Sequence, residues 1–199
     1  METQLDIKMI PLDRHIGIYG NGKCGKTTLA IDLIRDLDPA DVVIFTHKGQ
    51  LPLYEGFDNA HDHYDDLILE KLITTQQNTT DNTVTLVIDG FEYDKHVKYD
   101  DKLRHIFMNG RSLGIRIIIT FRQITSLLPH NRKNLHCLFA FNENSLYNCK
   151  TLHNEFFKEY GNVNDFTNVL KRTTQNYGTL VSIRDATTYG SYKANLIVQ

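Results

Sequence analysis

The chain has 199 residues, 41% of them hydrophobic and 10% aromatic, with a net charge of −2. This is globular composition, long enough for a core, and it predicts one domain over residues 1–199. It excludes a disordered chain and a uniformly basic nucleic-acid binder, and no apolar run approaches the roughly 18 residues that cross a bilayer.

The start, Met1-Glu2-Thr3-Gln4-Leu5-Asp6, lacks the basic and apolar stretches of a signal peptide. Cys24, Cys137 and Cys149 form no CxxC pair, which predicts a reducing compartment. Acids gather between Asp58 and Glu70. From Lys102 to Lys133 there are seven basic residues (Lys102, Arg104, Arg111, Arg116, Arg122, Arg132 and Lys133) and no Asp or Glu, so a basic face is expected there.

The apolar residues Ile16-Gly17-Ile18-Tyr19 predict a strand, and Thr28–Leu37 carries a helical pattern closed by Asp38-Pro39. Between them lies Gly20-Asn21-Gly22-Lys23-Cys24-Gly25-Lys26-Thr27, which fits the phosphate-binding loop G-x-x-x-x-G-K-[ST] in its strand–loop–helix setting. Main-chain amides of residues 20–28, Thr28 included, would converge on phosphate oxygens at the positive end of the helix. Lys26 would reach the β- and γ-phosphates, and the Thr27 hydroxyl would ligate Mg²⁺. The expected ligands are therefore ATP and Mg²⁺. Cys24 is read as a small filler within that loop.

Val42–Phe45 predicts a second strand, His47–Asn59 a loop, and Tyr64–Gln76 a helix. Thr83–Ile88 is a strand ending at Asp89, a carboxylate suited to hold Mg²⁺ through its water shell. Attack by water also needs a group to orient or deprotonate it. Position 90, where many ATPases carry that acid, is Gly90, and the nearest candidates are Glu92 and Asp94. A helix over Asp101–Arg111 leads to an apolar strand at Arg116–Thr120, followed by Phe121-Arg122-Gln123. The Gln123 amide could bond both the γ-phosphate and the attacking water. Leu135–Phe141 is another strand, Asn144–Tyr160 and Val163–Thr173 are helices, and Thr179–Ile183 and Lys193–Val198 are closing strands, antiparallel at the edge. Strands alternating with helices predict a mostly parallel α/β sheet flanked by helices on both faces, with ligands at the carboxyl ends of the strands.

Arg111, Gly114, Ile115–Thr120, Gln123, Leu128-Pro129, Arg132, Asn134 and Leu135–Phe141, following the phosphate loop in this order, resemble the FtsK/HerA superfamily of P-loop ATPases. Within it they are most similar to the genome-packaging ATPases of double-stranded DNA viruses, of poxvirus and giant-virus type. The resemblance spans residues 14–141. It implies a RecA/FtsK-like fold, ATP hydrolysis coupled to movement of double-stranded DNA, and a hexameric or pentameric ring. It also implies contact with capsid proteins and residence in host cytoplasm or virion. A neighbouring subunit's arginine would complete each site, with Arg111 or Arg132 in that role, and Lys95, Lys98, Lys102 and Arg104 would face DNA. Gly90 departs from the family pattern and leaves the catalytic carboxylate open. A nucleotide or nucleoside kinase and a nucleotide-binding assembly subunit without turnover remain alternatives. A GTPase is disfavoured, because no N-K-x-D guanine reader is present. His61-Asp62-His63 reads as an exposed acidic loop rather than a metal site.

Overall fold

The computed structural model describes residues 3–4, 7, 10–11, 13–37, 39, 41–79, 82–91, 94–184 and 190–193, the backbone alone for 3–4 and 190–193. Among the described residues nine strands form one sheet: β1 (Thr3–Gln4), β2 (Ile16–Tyr19), β3 (Asp41–Phe45), β4 (Ala60–His61), β5 (Val84–Ile88), β6 (Ile115–Phe121), β7 (Cys137–Ala140), β8 (Gly178–Ile183) and β9 (Gly190–Lys193). Their spatial order is β1-β9-β8-β7-β2-β6-β5-β3-β4. From β7 to β4 every pairing is parallel; β8 turns antiparallel against β7, and β9 against β8.

The central strands β2, β5, β6 and β7 are buried along their whole length, as expected where helices cover both faces. Alternation along β6 divides its side chains between two cores. Ile117 and Ile119 join α2 (Asp66–Gln77), α4 (Asp101–Leu113), α6 (Leu146–Phe156) and α7 (Val163–Thr173) on one face, while Ile118 joins α1 (Lys26–Leu37) on the other. The fold is thus the α/β class expected, with a mostly parallel sheet between helices.

Several elements differ from the sequence reading. Lys95–Tyr99 forms a short helix, α3, which Asp94 caps by accepting from the His96 and Val97 amides. Pro129–Asn134 forms α5, because proline suits a first helical position; strand β7 accordingly starts only at Cys137. α6 stops at Phe156, and Lys158–Tyr160 continues as a 3₁₀ turn. The loop 47–59 contains a 3₁₀ turn at Leu51–Tyr54. The last expected strand falls partly beyond the described residues, since 194–199 lie outside them.

α4 shows how local sequence sets an element. Asp100 caps it by accepting from the Leu103 amide at 2.6 Å, and Gly114 ends it in the left-handed conformation, with φ 66°. Leu103, Ile106 and Phe107 on one side are buried against the sheet. The chain then enters β6 at once, between the phosphate-loop strand β2 and the Asp89 strand β5.

Candidate functional site

The carboxyl ends of β2, β6, β5 and β3 meet along one rim, as their parallel pairing requires. There a cleft of about 360 Å³ is lined by Lys23, Gly25, Lys26, Thr27, Thr28, Gln50, Asp89, Gly90, Thr120, Arg122 and Tyr177. Ligand sites of open α/β sheets lie in this place.

The phosphate loop runs from β2 into α1. Lys23 and Gly25 take positive φ, 62° and 103°, and this curls the loop back towards the helix start. α1 has no acid in its first turn and Arg35 in its last. No acid of the helix itself offsets its positive end, which suits an anion. Lys26 is 9% exposed, and its Nζ donates to the Gly20 and Asn21 carbonyls at 2.8 and 2.9 Å. The ammonium lies at the mouth of the loop, held by the loop's own oxygens. Asn21, Gly22 and Cys24 complete the turn without lining the cleft wall. Burial pushes the Cys24 thiol upward against the pull of Lys26, which fits a filler rather than a reactive thiolate.

Asp89 follows β5 and is 1% exposed. Its Oδ2 accepts from Thr27 Oγ1 at 2.8 Å and from the Tyr54 hydroxyl at 3.1 Å, and its Oδ1 accepts from Thr120 Oγ1 at 2.6 Å. Three hydroxyls from three elements thus satisfy a buried carboxylate. Burial, and next the Asp89 charge, push the Tyr54 phenol well above its ordinary value, so it remains a donor. Thr27 Oγ1 and Asp89 Oδ2 are hard oxygens, side by side at the cleft, and this pair fits a divalent cation such as Mg²⁺.

Tyr54 and Gln50 come from the 47–59 segment, whose sequence predicts only a loop. Gln50 Nε2 donates to Thr27 Oγ1 at 3.3 Å. Their only sequence signal was the position of the loop after β3, a strand whose carboxyl end borders β5. Arg122 and Tyr177 line the cleft as well. Arg122 closes β6, next to the position where a side chain on Gly22 would reach. Tyr177, 49% exposed, has φ 61°, beside Asn176 at φ 53°. Two consecutive non-glycine residues in the left-handed region are costly and typical of functional sites.

At the back of the loop, Tyr19 donates to Glu143, a carboxylate 4% exposed that also accepts from the Asn144 and Ser145 amides and from Asn148 Nδ2. This network anchors the end of β2 to the start of α6.

The remaining candidates are more scattered. Gln123 is exposed, follows β6, and is not part of the cleft wall. Glu92 lies outside the described residues. Asp94 is committed to capping α3. Arg111 sits in the last turn of α4, just before β6 begins, and so on the rim opposite the cleft. Its Nε pairs with Asp13 Oδ2 at 2.7 Å, with the side chain 67% exposed. Arg132 is different: it is 8% exposed, paired to Glu155, and its Nη1 donates to the Leu127 and Ile124 carbonyls at 2.6 and 3.2 Å. To act on a neighbouring subunit, as the resemblance implies, this guanidinium would first have to give up these bonds.

The expected basic face is also smaller than its composition suggests. Arg116 is 2% exposed, bonded to Thr85, and burial lowers it to about 10. Lys102 pairs with Asp66 and Glu70, Arg104 with Asp101, and Lys98 with the Thr125 carbonyl. His61 and His63 bond Asn59 and Asp62 separately. No helix among the described residues is long and apolar enough to cross a membrane.

No protein-family model matches the chain. Uncharacterized protein 075L of Invertebrate iridescent virus 6 is 25% identical over 146 residues, which are 69% of this chain and 57% of that protein. The chain thus spans little more than half the length of that relative. Among solved structures, the genome packaging NTPase B204 from Sulfolobus turreted icosahedral virus 2, in complex with ATP-gammaS, superposes with a TM-score of 0.71 at 16% identity, over 94% of this chain and 100% of that one. The DNA-packaging ATPase B204 from Sulfolobus Turreted Icosahedral Virus gives 0.69 at 19%, over 91% and 97%. EssC (ATPases 2 and 3) from Geobacillus thermodenitrificans gives 0.61 at 17%, over 94% of this chain and 41% of that one. At such identities the similarity establishes architecture alone: the chain shares the mostly parallel α/β fold of these proteins.

Proposed function

We propose that this chain is an ATP-hydrolysing motor that packages or translocates double-stranded DNA. The observation that carries this reading is the meeting of Lys26, Thr27 and Asp89 in one cleft at the head of α1. The similarity to B204, a genome packaging NTPase with ATP-gammaS bound, extends over the whole of that chain and supports the same reading.

The triphosphate enters against the loop amides and the start of α1. Lys26 exchanges the Gly20 and Asn21 carbonyls for β- and γ-phosphate oxygens, a trade the cleft permits because the ammonium already faces it. Thr27 and Asp89 would hold Mg²⁺, which would supply Lewis-acid stabilisation of phosphate charge there. Thr120 and Tyr54 hold the Asp89 carboxylate in place by donating to it. Arg122 adds a guanidinium to the two lysines of the wall, Lys23 and Lys26, and Tyr177 offers an aromatic face to the base.

Arg111 stands on the far rim, so it serves a neighbouring subunit's nucleotide in a ring, hexameric or pentameric. DNA is gripped through its phosphates, sequence-independently, and capsid proteins are the docking partners. The test is ATP turnover by the parent and by Lys26→Ala, with and without double-stranded DNA. Turnover in the parent, stimulated by DNA and lost in the variant, is expected. An inactive parent under all conditions refutes the motor.

A further inference from the structure

The acid that many ATPases carry directly after the metal-binding carboxylate is absent here, and the structure shows what fills its space. Gly90 has φ 92°, and a Cβ built there would lie 2.9 Å from Gln50 Oε1 and 3.0 Å from His47 Cδ2. A side chain at position 90 would have to displace the Gln50 amide. That amide lines the cleft, with Nε2 3.3 Å from Thr27 Oγ1 and Oε1 3.4 Å from Thr46 Oγ1.

Its backbone is fixed from two sides. The Gln50 amide N–H donates to the His47 carbonyl at 2.8 Å. The His47 ring bonds the Gly90 carbonyl at 2.7 Å and packs on Phe91, with centroids 4.4 Å apart. The 3₁₀ turn that begins after Gln50 is tied in turn to Asp89 through Tyr54. The segment after β3 therefore presents one neutral amide at the reaction centre, in a held position.

We propose that Gln50, and not an acid beside Asp89, orients the attacking water. This rests on the reading of the chain as an ATPase. A primary amide has an acceptor for a water O–H and donors for a γ-phosphate oxygen, and it cannot itself take the proton. The water oxygen bonds to Pγ as the bond from Pγ to the bridging oxygen breaks. ADP keeps that electron pair, and the water proton passes to a γ-phosphate oxygen and leaves with inorganic phosphate. Gln50 is a catalytic residue in this scheme, because it touches the attacking water.

The test compares kcat and KM for ATP, with double-stranded DNA present, in the parent, Gln50→Ala and Gln50→Glu between pH 5 and 9. The affinity of each for a non-hydrolysable ATP analogue is measured alongside. Gln50→Ala is expected to lose about 10²-fold in kcat while analogue affinity stays within a few-fold. Gln50→Glu should retain turnover and gain a pH limb, rising as the new carboxylate ionises. If Gln50→Ala keeps the parental kcat, or loses kcat and analogue affinity in equal proportion, the role is wrong while the ATPase reading stands. A parent without turnover overturns both.

Discussion

Arg132 grips Glu155 with two parallel hydrogen bonds, Nε to Oε2 and Nη2 to Oε1, each 2.7 Å. The same guanidinium holds the carbonyls of Ile124 and Leu127. It therefore fastens the segment after β6 to α6. Arg132→Ala leaves a half-sheltered carboxylate and two carbonyls unpaired, and should destabilise the fold by about 2–4 kcal/mol. Denaturant unfolding measures this; a shift below about 0.5 kcal/mol would remove the fastening role.

Arg111 makes the opposite case. Its ion pair with Asp13 is largely exposed, so Arg111→Ala should change stability by less than about 1 kcal/mol. If Arg111 acts on a neighbour as proposed, Arg111→Ala should lower ATP turnover by roughly 10³-fold. Mixing Arg111→Ala with Lys26→Ala subunits should restore part of the turnover, because each supplies what the other lacks. A mixture as inactive as its components would argue against action between subunits.

Nucleotide binding should appear as stability. With ATP-Mg²⁺ at 100 times its dissociation constant the parent gains about 2.7 kcal/mol. Lys26→Ala and Asp89→Asn should lose most of that gain in a thermal shift measurement. A variant that retains the full gain excludes its side chain from the site.

Tyr177 is expected to contact the base. Tyr177→Ala should weaken ATP binding by about 1–2 kcal/mol, the scale of base–aromatic stacking, and leave inorganic triphosphate binding unchanged. Calorimetry with both ligands separates base contact from loop support. Equal weakening of the two ligands would point to support of Gly25, whose position lies within contact of the Tyr177 ring.

Acid sensitivity should come in part from His15. Burial lowers its pKa from 6.5 to about 4, and its Nδ1 accepts from the Ile117 amide at 3.1 Å. The unfolded chain binds this proton first, so between pH 6.5 and 4 stability falls as pH falls. The full effect is about 3 kcal/mol. His15→Gln, less stable overall, should show a flatter slope over that window in denaturant titrations at pH 7 and 4.5. Identical slopes would assign the acid sensitivity to carboxylates.

Much of this was legible locally. Ile16–Tyr19, Lys26-Thr27 and the strand ending at Asp89 announce themselves through apolar runs and motif spacing, and the helix Val163–Thr173 is found where its 3.6-residue pattern puts it. Periodicity reports burial of one face and nothing about which neighbour buries it. That is why Arg116, Arg132 and Lys102 read as a basic face when two are interior and one is neutralised.

The chain by itself determined a phosphate-loop motif, a carboxylate at a strand end and an alternation of strands and helices, because each is written within about a dozen neighbouring residues. Tertiary structure alone decided that β6 lies between β2 and β5, that Tyr54 and Gln50 swing in from the loop after β3, and that Arg132 turns inward while Arg111 stays outside. Those outcomes depend on strand order and on long-range packing, where residues tens of positions apart must find one another, and no local pattern encodes such meetings.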